Sequence, residues 1–339
     1  MEAQAVNPRV AIVGATTWGT TLALILAAKD LPVTLLVRSE AEAQTLNAQR
    51  QHSRFLPDVL FPESLTVSSD VHQSISPANL IILAVPSHQF RKNISLVSPA
   101  ISSGATILSA AKGLELPEGK RMSQVMEEEL PAHLHAGICA LSGPNLAKEI
   151  IQGKNSSTVV AGQDADHCRA AQDILMSNTF RVYTSDDVIG VELGGALKNI
   201  VALGAGIADG LDAGDNAKAA FITRGLAEIT RLGVAAGAKP LTFAGLAGLG
   251  DLVATCSSPL SRNHTVGRKL AQGQSWPDIS ETMENVAEGV NTTNAALAMA
   301  KDLGVEMPIA QTTYQVLFEG LSPKDAVAQL MGRPPRSEW

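Results

Sequence analysis

The sequence predicts an α/β domain built on a mostly parallel sheet, followed by an all-α domain. Three observations lead there. Short, continuously apolar runs recur in the first half: RVAIV at Arg9–Val13, VTLLV at Val33–Val37 and LIILAV at Leu80–Val85. Strands buried on both faces read this way, without alternation. The first run leads through a glycine turn into an apolar helix and then a second strand, the order of a βαβ unit. After about residue 188 the strand signals stop, and alanine, glycine and leucine recur at helical spacing. The 339 residues suit two domains, expected at 1–188 and 189–339.

Composition narrows the class. Hydrophobic residues make up 45% of the chain, enough for substantial cores. The formal charge of -7 argues against a general nucleic-acid binder but allows a local basic pocket for an anion. Cys139, Cys168 and Cys256 form neither metal-ligand spacing nor a disulfide framework, so no metal is expected and a reducing compartment fits. The start, MEAQAVNPRV, lacks the basic and apolar regions of a signal peptide. No run of about 18 uninterrupted apolar residues suggests a membrane span. A soluble, cytoplasmic protein is expected.

In chain order, the turn after the first strand is GATTWG, Gly14–Gly19. The phosphate-binding fingerprint is G-x-G-x-x-G, and Thr16 stands where the middle glycine lets backbone approach a pyrophosphate. Its Cβ would crowd a dinucleotide, or its hydroxyl would donate to one. A helix over about Thr20–Lys29 would offer its N-terminus to that pyrophosphate, as in a Rossmann-like domain. Arg38 follows the second strand, where an acid would bind a ribose 2′-hydroxyl; an arginine accommodates a 2′-phosphate and favours NADP(H) over NAD(H). Phe55–Pro62 reads as an irregular loop because of its two prolines. Three strands end in Pro86-Ser87-His88, in Ala110-Ala111-Lys112-Gly113 and in Ser142-Gly143-Pro144-Asn145. Ligands sit beyond the carboxyl ends of such strands, which places Lys112 to reach a substrate. Ser157–Ala161 and Phe180–Thr184 extend the sheet.

The second half opens on Asp187–Gly210, a helix of about 20 residues whose stability depends on packing. Val191, Gly195, Lys198, Ala202 and Ala205 share one face, and Lys198 and Asn199 are the only strongly polar side chains between Leu193 and Ala208. Glycines at 194, 195, 204 and 206 each weaken an isolated helix by about 1 kcal/mol, which implies close approach of a backbone or a ligand. A desolvated lysine is usable as a general acid or base; a lysine whose stem packs while its ammonium reaches water is the competing reading. Asn216–Ala236 reads as a second helix, with Ile222, Leu226 and Ile229 on one stripe and Leu232 at its edge. Thr242 is placed to cap the next segment. Within Gly245–Thr255, Asp251 is the only charge, and Lys198 is its expected partner because an unpaired buried charge is costly. Ser261-Arg262-Asn263 suits a phosphate, which arginine binds bidentately. Ser322-Pro323 reads as the cap and first position of the last helix.

These residues lie in ordered blocks: FLPDVLFPESL, AVPSHQF, AAKGLE, SGPNLAKEI, LGGALKN, GLAGLGDLVATC, SRNHTVG, VAEGV and GVEMPI. Over about residues 9–333 the chain closely resembles the bacterial-type NAD(P)-dependent glycerol-3-phosphate dehydrogenases. The resemblance implies NAD(P)H-dependent reduction of dihydroxyacetone phosphate to sn-glycerol 3-phosphate, for phospholipid synthesis. It implies a Rossmann domain, an all-helical domain, a site in the cleft between them, and a homodimer. Lys198 would be the catalytic acid/base, and Lys112 would touch substrate and cofactor. Asp251, Ser261, Arg262 and Asn263 would complete the substrate site. Thr17, Trp18, Arg38, Gly143, Asn145, Ala147, Val286 and Glu288 fall where the family contacts the dinucleotide, beside Gly14, Thr16 and Gly19 of the turn. Gly143 also counts with the substrate site, and Arg262 with the cofactor. The family has glycine at Thr16 and commonly threonine at Asn145. The alternatives are a related hydroxy-acid or sugar-acid dehydrogenase and a non-catalytic dinucleotide-binding paralogue. The SRN and AAKGLE blocks favour a triose phosphate over the first; Lys112, Lys198 and Asp251 together disfavour the second.

Overall fold

The computed structural model describes residues 7–283, 287–335 and 337–338. Val286, expected at the cofactor, lies outside the described residues. The chain divides into two compact units: Met1–Lys112 with Arg121–Val188, and Gly113–Lys120 with Ile189–Trp339.

Among the described residues the first unit holds ten strands: β1 Val10–Val13, β2 Val33–Leu36, β3 Gln51–His52, β4 Leu56–Leu60, β5 Leu65–Ser68, β6 Leu80–Leu83, β7 Thr106–Ser109, β8 Ile138–Ser142, β9 Ser156–Gly162 and β10 Phe180–Ser185. Eight form one sheet in the order β10-β9-β8-β7-β6-β1-β2-β5. Pairing is parallel except between β8 and β9, where Ser142 faces Val159 and the chain runs back antiparallel. The helices are α1 Thr17–Ala27, α2 Glu40–Gln49, α3 Val71–Ile75, α4 Ser87–Val97, α5 Met122–Glu129, α6 Ala147–Ile151 and α7 Ala165–Leu175. Side chains alternate across a strand. Val10, Ile12, Leu80 and Ile82 therefore enter one core with Leu22 and Leu26 of α1. Ala11, Val13, Ile81 and Leu83 enter the other with Phe90 and Ile94 of α4. Both faces being covered explains the unbroken apolar runs, and the arrangement is the expected Rossmann-like one.

Two local expectations need correcting. Helix α1 starts at Thr17, not Thr20, because Thr16 caps it: the Thr16 side chain accepts the Gly19 N–H. Phe55–Pro62 is not wholly irregular, because β4 pairs antiparallel with β3 in a two-stranded ribbon. Pro57 is tolerated there because an edge strand has one side with no ladder to supply.

The second unit is helical: α8 Val188–Gly210, α9 Asp215–Ala235, α10 Pro240–Phe243, a π turn Leu246–Gly250, α11 Asp251–Ser257, α12 Arg262–Ala271, α13 Trp276–Glu281, α14 Glu288–Leu303, α15 Pro308–Phe318 and α16 Pro323–Met331. Its core gathers Leu193, Ala196, Leu197 and Ile200 of α8 with Ile229 and Leu232 of α9. Leu114 joins that core, so a segment expected in the first domain packs with the second unit. Helix α8 is buried without a break from Leu193 to Ile207, not on one face only. Its glycines make this possible: a Cβ on Gly194 would lie 2.7 Å from the Ala247 carbonyl oxygen, and one on Gly206 2.1 Å from that of His264. Leu232, expected at the edge of its stripe, is fully buried. Thr242 lies inside α10, which Lys239 precedes as N-cap, and Gly245 occupies the cap of the next segment. Ser322 caps α16 with Pro323 at its start, as expected.

Among the described residues, two segments are long and apolar enough to cross a membrane by length and composition, Val188–Gly210 and Pro240–Ser257. For α8, 83% of the apolar window is buried inside the protein, as in the core helix of a soluble domain.

Candidate functional site

In the sheet unit, the glycine turn fits a dinucleotide. Gly14 has φ +107°, and a Cβ there would lie 2.6 Å from the Val85 side chain. A Cβ on Gly19 would lie 2.0 Å from the Gly14 carbonyl oxygen. These two glycines are therefore required by packing, whereas Thr16 fits. Its hydroxyl donates to the Ala84 carbonyl at 2.7 Å and accepts the Gly19 N–H at 3.1 Å. The proton that could have gone to a cofactor is committed within the protein. Thr17 and Trp18 follow in the first turn, where backbone N–H groups have no intrahelical acceptor. The Trp18 indole Nε1 is a buried donor without a partner among the described residues. A glycine turn leading into a helix N-terminus suits an anionic ligand.

Arg38 follows β2. Its guanidinium donates to Gln89 Oε1 of α4 at 2.9 Å, and its backbone N–H to Glu42 Oε2 at 3.3 Å. His52 Nε2 sits 3.1 Å from the Ala15 carbonyl oxygen of the turn, and burial lowers the His52 pKa. Sequence reasoning passed over His52 and Gln89; each meets its partner 37 or more residues away in the chain, with no local pattern to mark it.

Beyond β7 and β8, the Lys112 ammonium donates to the Gly143 carbonyl at 2.7 Å. Gly143 has φ +146°, and a Cβ there would lie 3.0 Å from the Ser157 carbonyl oxygen. Asn145 Nδ2 donates to Thr158 Oγ1 at 3.1 Å, and Ala147 begins α6.

In the helical unit, Lys198 meets the partner expected for it. Its Nζ lies 2.5 Å from Asp251 Oδ1, with side chains 7% and 2% exposed. This excludes the snorkelling reading. The ammonium also donates to Thr255 Oγ1 at 2.5 Å, while the Thr255 hydroxyl donates to the Asp251 carbonyl at 2.6 Å. Breaking a buried pair by removing one partner costs about 3–5 kcal/mol, so the three residues hold one another in place. Thr255, one helical turn after Asp251, went unnoticed in sequence because a threonine in an apolar helix carries no signal.

Next to Lys198, Asn199 Oδ1 accepts from Asn263 Nδ2 at 2.9 Å, and Asn263 Oδ1 accepts the Gly289 N–H at 3.0 Å. The SRN triplet is the start of α12: Ser261 caps it by accepting the His264 N–H, Arg262 is exposed in the first turn, and Asn263 is buried. Glu288 opens α14, and its charge acts on Arg262. His264 Nε2 and Lys218 Nζ each lie 2.7 Å from Asp209 Oδ2. Burial raises the Asp209 pKa, but the Lys218 and His264 hydrogen bonds outweigh it and hold the carboxyl below its ordinary value. Cys139 and Cys168 approach to 4.0 Å between sulfurs as free thiols.

A family model described as the NAD-dependent glycerol-3-phosphate dehydrogenase N-terminus matches residues 9–168, and its C-terminal counterpart matches 187–328. A glycerol-3-phosphate dehydrogenase [NAD(P)+] of Dehalococcoides mccartyi strain 195 is 50% identical over 324 residues, covering 95% of this chain and 90% of the relative. One from Chlorobium limicola is 44% identical over 329 residues, covering 97% and 99%. The crystal structure of glycerol-3-phosphate dehydrogenase from Coxiella burnetii superimposes with a TM-score of 0.90 at 36% identity, covering 96% of this chain and 99% of the other.

Proposed function

The chain belongs to the NAD-dependent glycerol-3-phosphate dehydrogenase family, and we propose that Lys198 is the acid/base of its reaction. The protein is an oxidoreductase that reduces dihydroxyacetone phosphate to sn-glycerol 3-phosphate with NAD(P)H. One observation supports the role of Lys198 above the others: a lysine ammonium inside an apolar helical core, held by Asp251 and Thr255.

The bound dihydronicotinamide supplies the hydride. As the ketone carbon gains that electron pair, negative charge grows on its oxygen. The Lys198 ammonium gives a proton to that oxygen and is reprotonated from solvent; in the oxidative direction the neutral Lys198 amine accepts the hydroxyl proton. Asp251 favours the charged amine and fixes its position. Lys112, held by the Gly143 carbonyl, is a second cation for the developing charge, and preorganised charge of this kind is often the largest catalytic contribution. Arg262, with Asn263 and the first-turn N–H groups of α12, holds the phosphate. Ser261 contributes as the cap of that helix. Gly14, Thr16, Gly19, Thr17, Trp18, Arg38, Gly143, Asn145 and Ala147 form the part of the dinucleotide site that the sheet unit carries.

In this reading residues 1–188 carry the dinucleotide turn together with Lys112, and residues 189–339 carry Lys198 and the phosphate-holding residues. Arg38 favours NADPH over NADH, with both usable. The protein works in the cytoplasm as a homodimer and supplies glycerophospholipid synthesis. Absorbance of NADPH and of NADH, followed separately with dihydroxyacetone phosphate and with unphosphorylated dihydroxyacetone, tests this. The expected result is oxidation that requires the phosphorylated ketone. Equal rates with both ketones would remove the phosphate-holding role of Arg262, and silence with both cofactors would contradict the reading.

A further inference from the structure

The SGPN loop after β8 is tied to a strand that contributes none of the site residues named above. Thr158 on β9 is fully buried. Its hydroxyl donates to the Ser142 carbonyl at 2.9 Å and accepts from Asn145 Nδ2 at 3.1 Å. One side chain thus holds the residues flanking Gly143-Pro144 on both sides. Ser156, two residues earlier on β9, adds a third tie by donating to the Pro144 carbonyl at 2.9 Å. Between these ties, a Cβ on Gly143 would lie 3.0 Å from the Thr158 Cα, so the loop rests directly on β9. The antiparallel turn of the sheet makes this possible: it brings the start of β9 beside the end of β8, where the loop begins. The Gly143 carbonyl held in this way is the acceptor of the Lys112 ammonium.

We propose that Thr158 is a positioning residue for hydride transfer, fixing the Gly143 carbonyl so that it aims Lys112. The proposal rests on the role assigned to Lys112 above. Because Thr158 Oγ1 uses both its proton and a lone pair, a valine of the same shape takes that partner from the buried Ser142 carbonyl and from the half-buried Asn145 amide. The loop then shifts, and misplacement of a catalytic group by about 1 Å can cost on the order of 100-fold in rate. The chain's asparagine at 145 also finds a use here: its longer side chain reaches the Thr158 hydroxyl.

The test is steady-state reduction of dihydroxyacetone phosphate by Thr158→Val, Thr158→Ser and Lys112→Ala, and by Thr158→Val combined with Lys112→Ala, with thermal unfolding followed in each. The expected result is a fall in kcat of at least tenfold for Thr158→Val, recovered to within about threefold by Thr158→Ser, which keeps the hydroxyl. In the Lys112→Ala background, Thr158→Val should change kcat by less than twofold. Multiplication of the two losses would overturn the proposal, since it would mean that Thr158 acts independently of Lys112. Near-normal turnover by Lys112→Ala would instead remove the role of Lys112 itself. If Thr158→Val does not fold, Ser156→Ala is put through the same cycle. A smaller loss that vanishes without Lys112 would support the proposal, and full activity would overturn it.

Discussion

Thr16 stands where a glycine would let a backbone approach a pyrophosphate, and its hydroxyl has been drawn into the protein as the cap of α1 and a tie to Ala84. Thr16→Ala should therefore lower stability by about 1 kcal/mol, the usual cost of losing a cap, read as a shift in a urea unfolding midpoint. Thr16→Gly should leave the NADPH dissociation constant within threefold; a tenfold tightening would show that the Cβ crowds the cofactor after all. Glu228 offers a pH test. Its oxygens accept the Ile309 and Ala310 N–H groups at 2.9 Å. Burial, working against those hydrogen bonds, pushes its pKa up to about 7. A raised carboxyl pKa favours the folded state most while the group is protonated. Its contribution is present in full below the ordinary carboxylate range and is lost as pH rises through about 7, on the order of 3 kcal/mol in all. Unfolding midpoints should fall over that window, and Glu228→Gln should flatten the fall; an unchanged slope would exclude Glu228. The Lys198–Asp251 pair was legible in the sequence because each is a lone charge in an apolar segment, and burial forces such charges together. The hydroxyl ties of Thr158 and Thr255 and the reach of His52 to Ala15 were not, because a neutral side chain carries no comparable penalty to betray its partner.

Helix α8 shows what local pattern can and cannot tell about an element. Its length and its glycines were readable, and the glycines do admit close neighbours. What the pattern understated was burial on every side: Lys198 and Asn199 each have a polar partner inside the core. At Gly206 the neighbour is the backbone of His264, two residues after Arg262. Gly206→Ala should push α12 away from α8, cost about 2 kcal/mol or more as an overpacked core position, and raise KM for dihydroxyacetone phosphate more than KM for the cofactor. A variant with unchanged stability and KM would show that the two helices separate freely. The prolines of Phe55–Pro62 hid β4, since the pairing partner that makes an edge strand cannot be read from the strand itself. The sequence does not mark the early start of α1, because Thr16 falls within the phosphate-binding fingerprint and its cap role shows only in the structure.

Across the whole molecule, an acidic chain of formal charge -7 handles two anions, so local cations must overcome the overall repulsion. We propose that Arg38, whose guanidinium donates to Gln89, does this for a 2′-phosphate. Arg38→Ala should lower kcat/KM for NADPH at least tenfold, the scale of one charge-assisted hydrogen bond, while that for NADH changes less than threefold. A proportional loss for both cofactors would assign Arg38 to structure. The two-domain plan was legible because strand and helix periodicities occupy separate halves of the chain, and the family was legible because its blocks recur in order; the side chains that hold those blocks together come from places no motif marks. The role of Lys198 is tested most directly by the turnover of Lys198→Ala, made also with Asp251→Asn so that no unpaired carboxylate remains buried. A general acid contributes about 10²–10⁴-fold. We expect both variants to lose at least 10² in kcat while keeping cofactor affinity near that of the parent enzyme; turnover within a few-fold of the parent in either folded variant would contradict Lys198 as the proton donor.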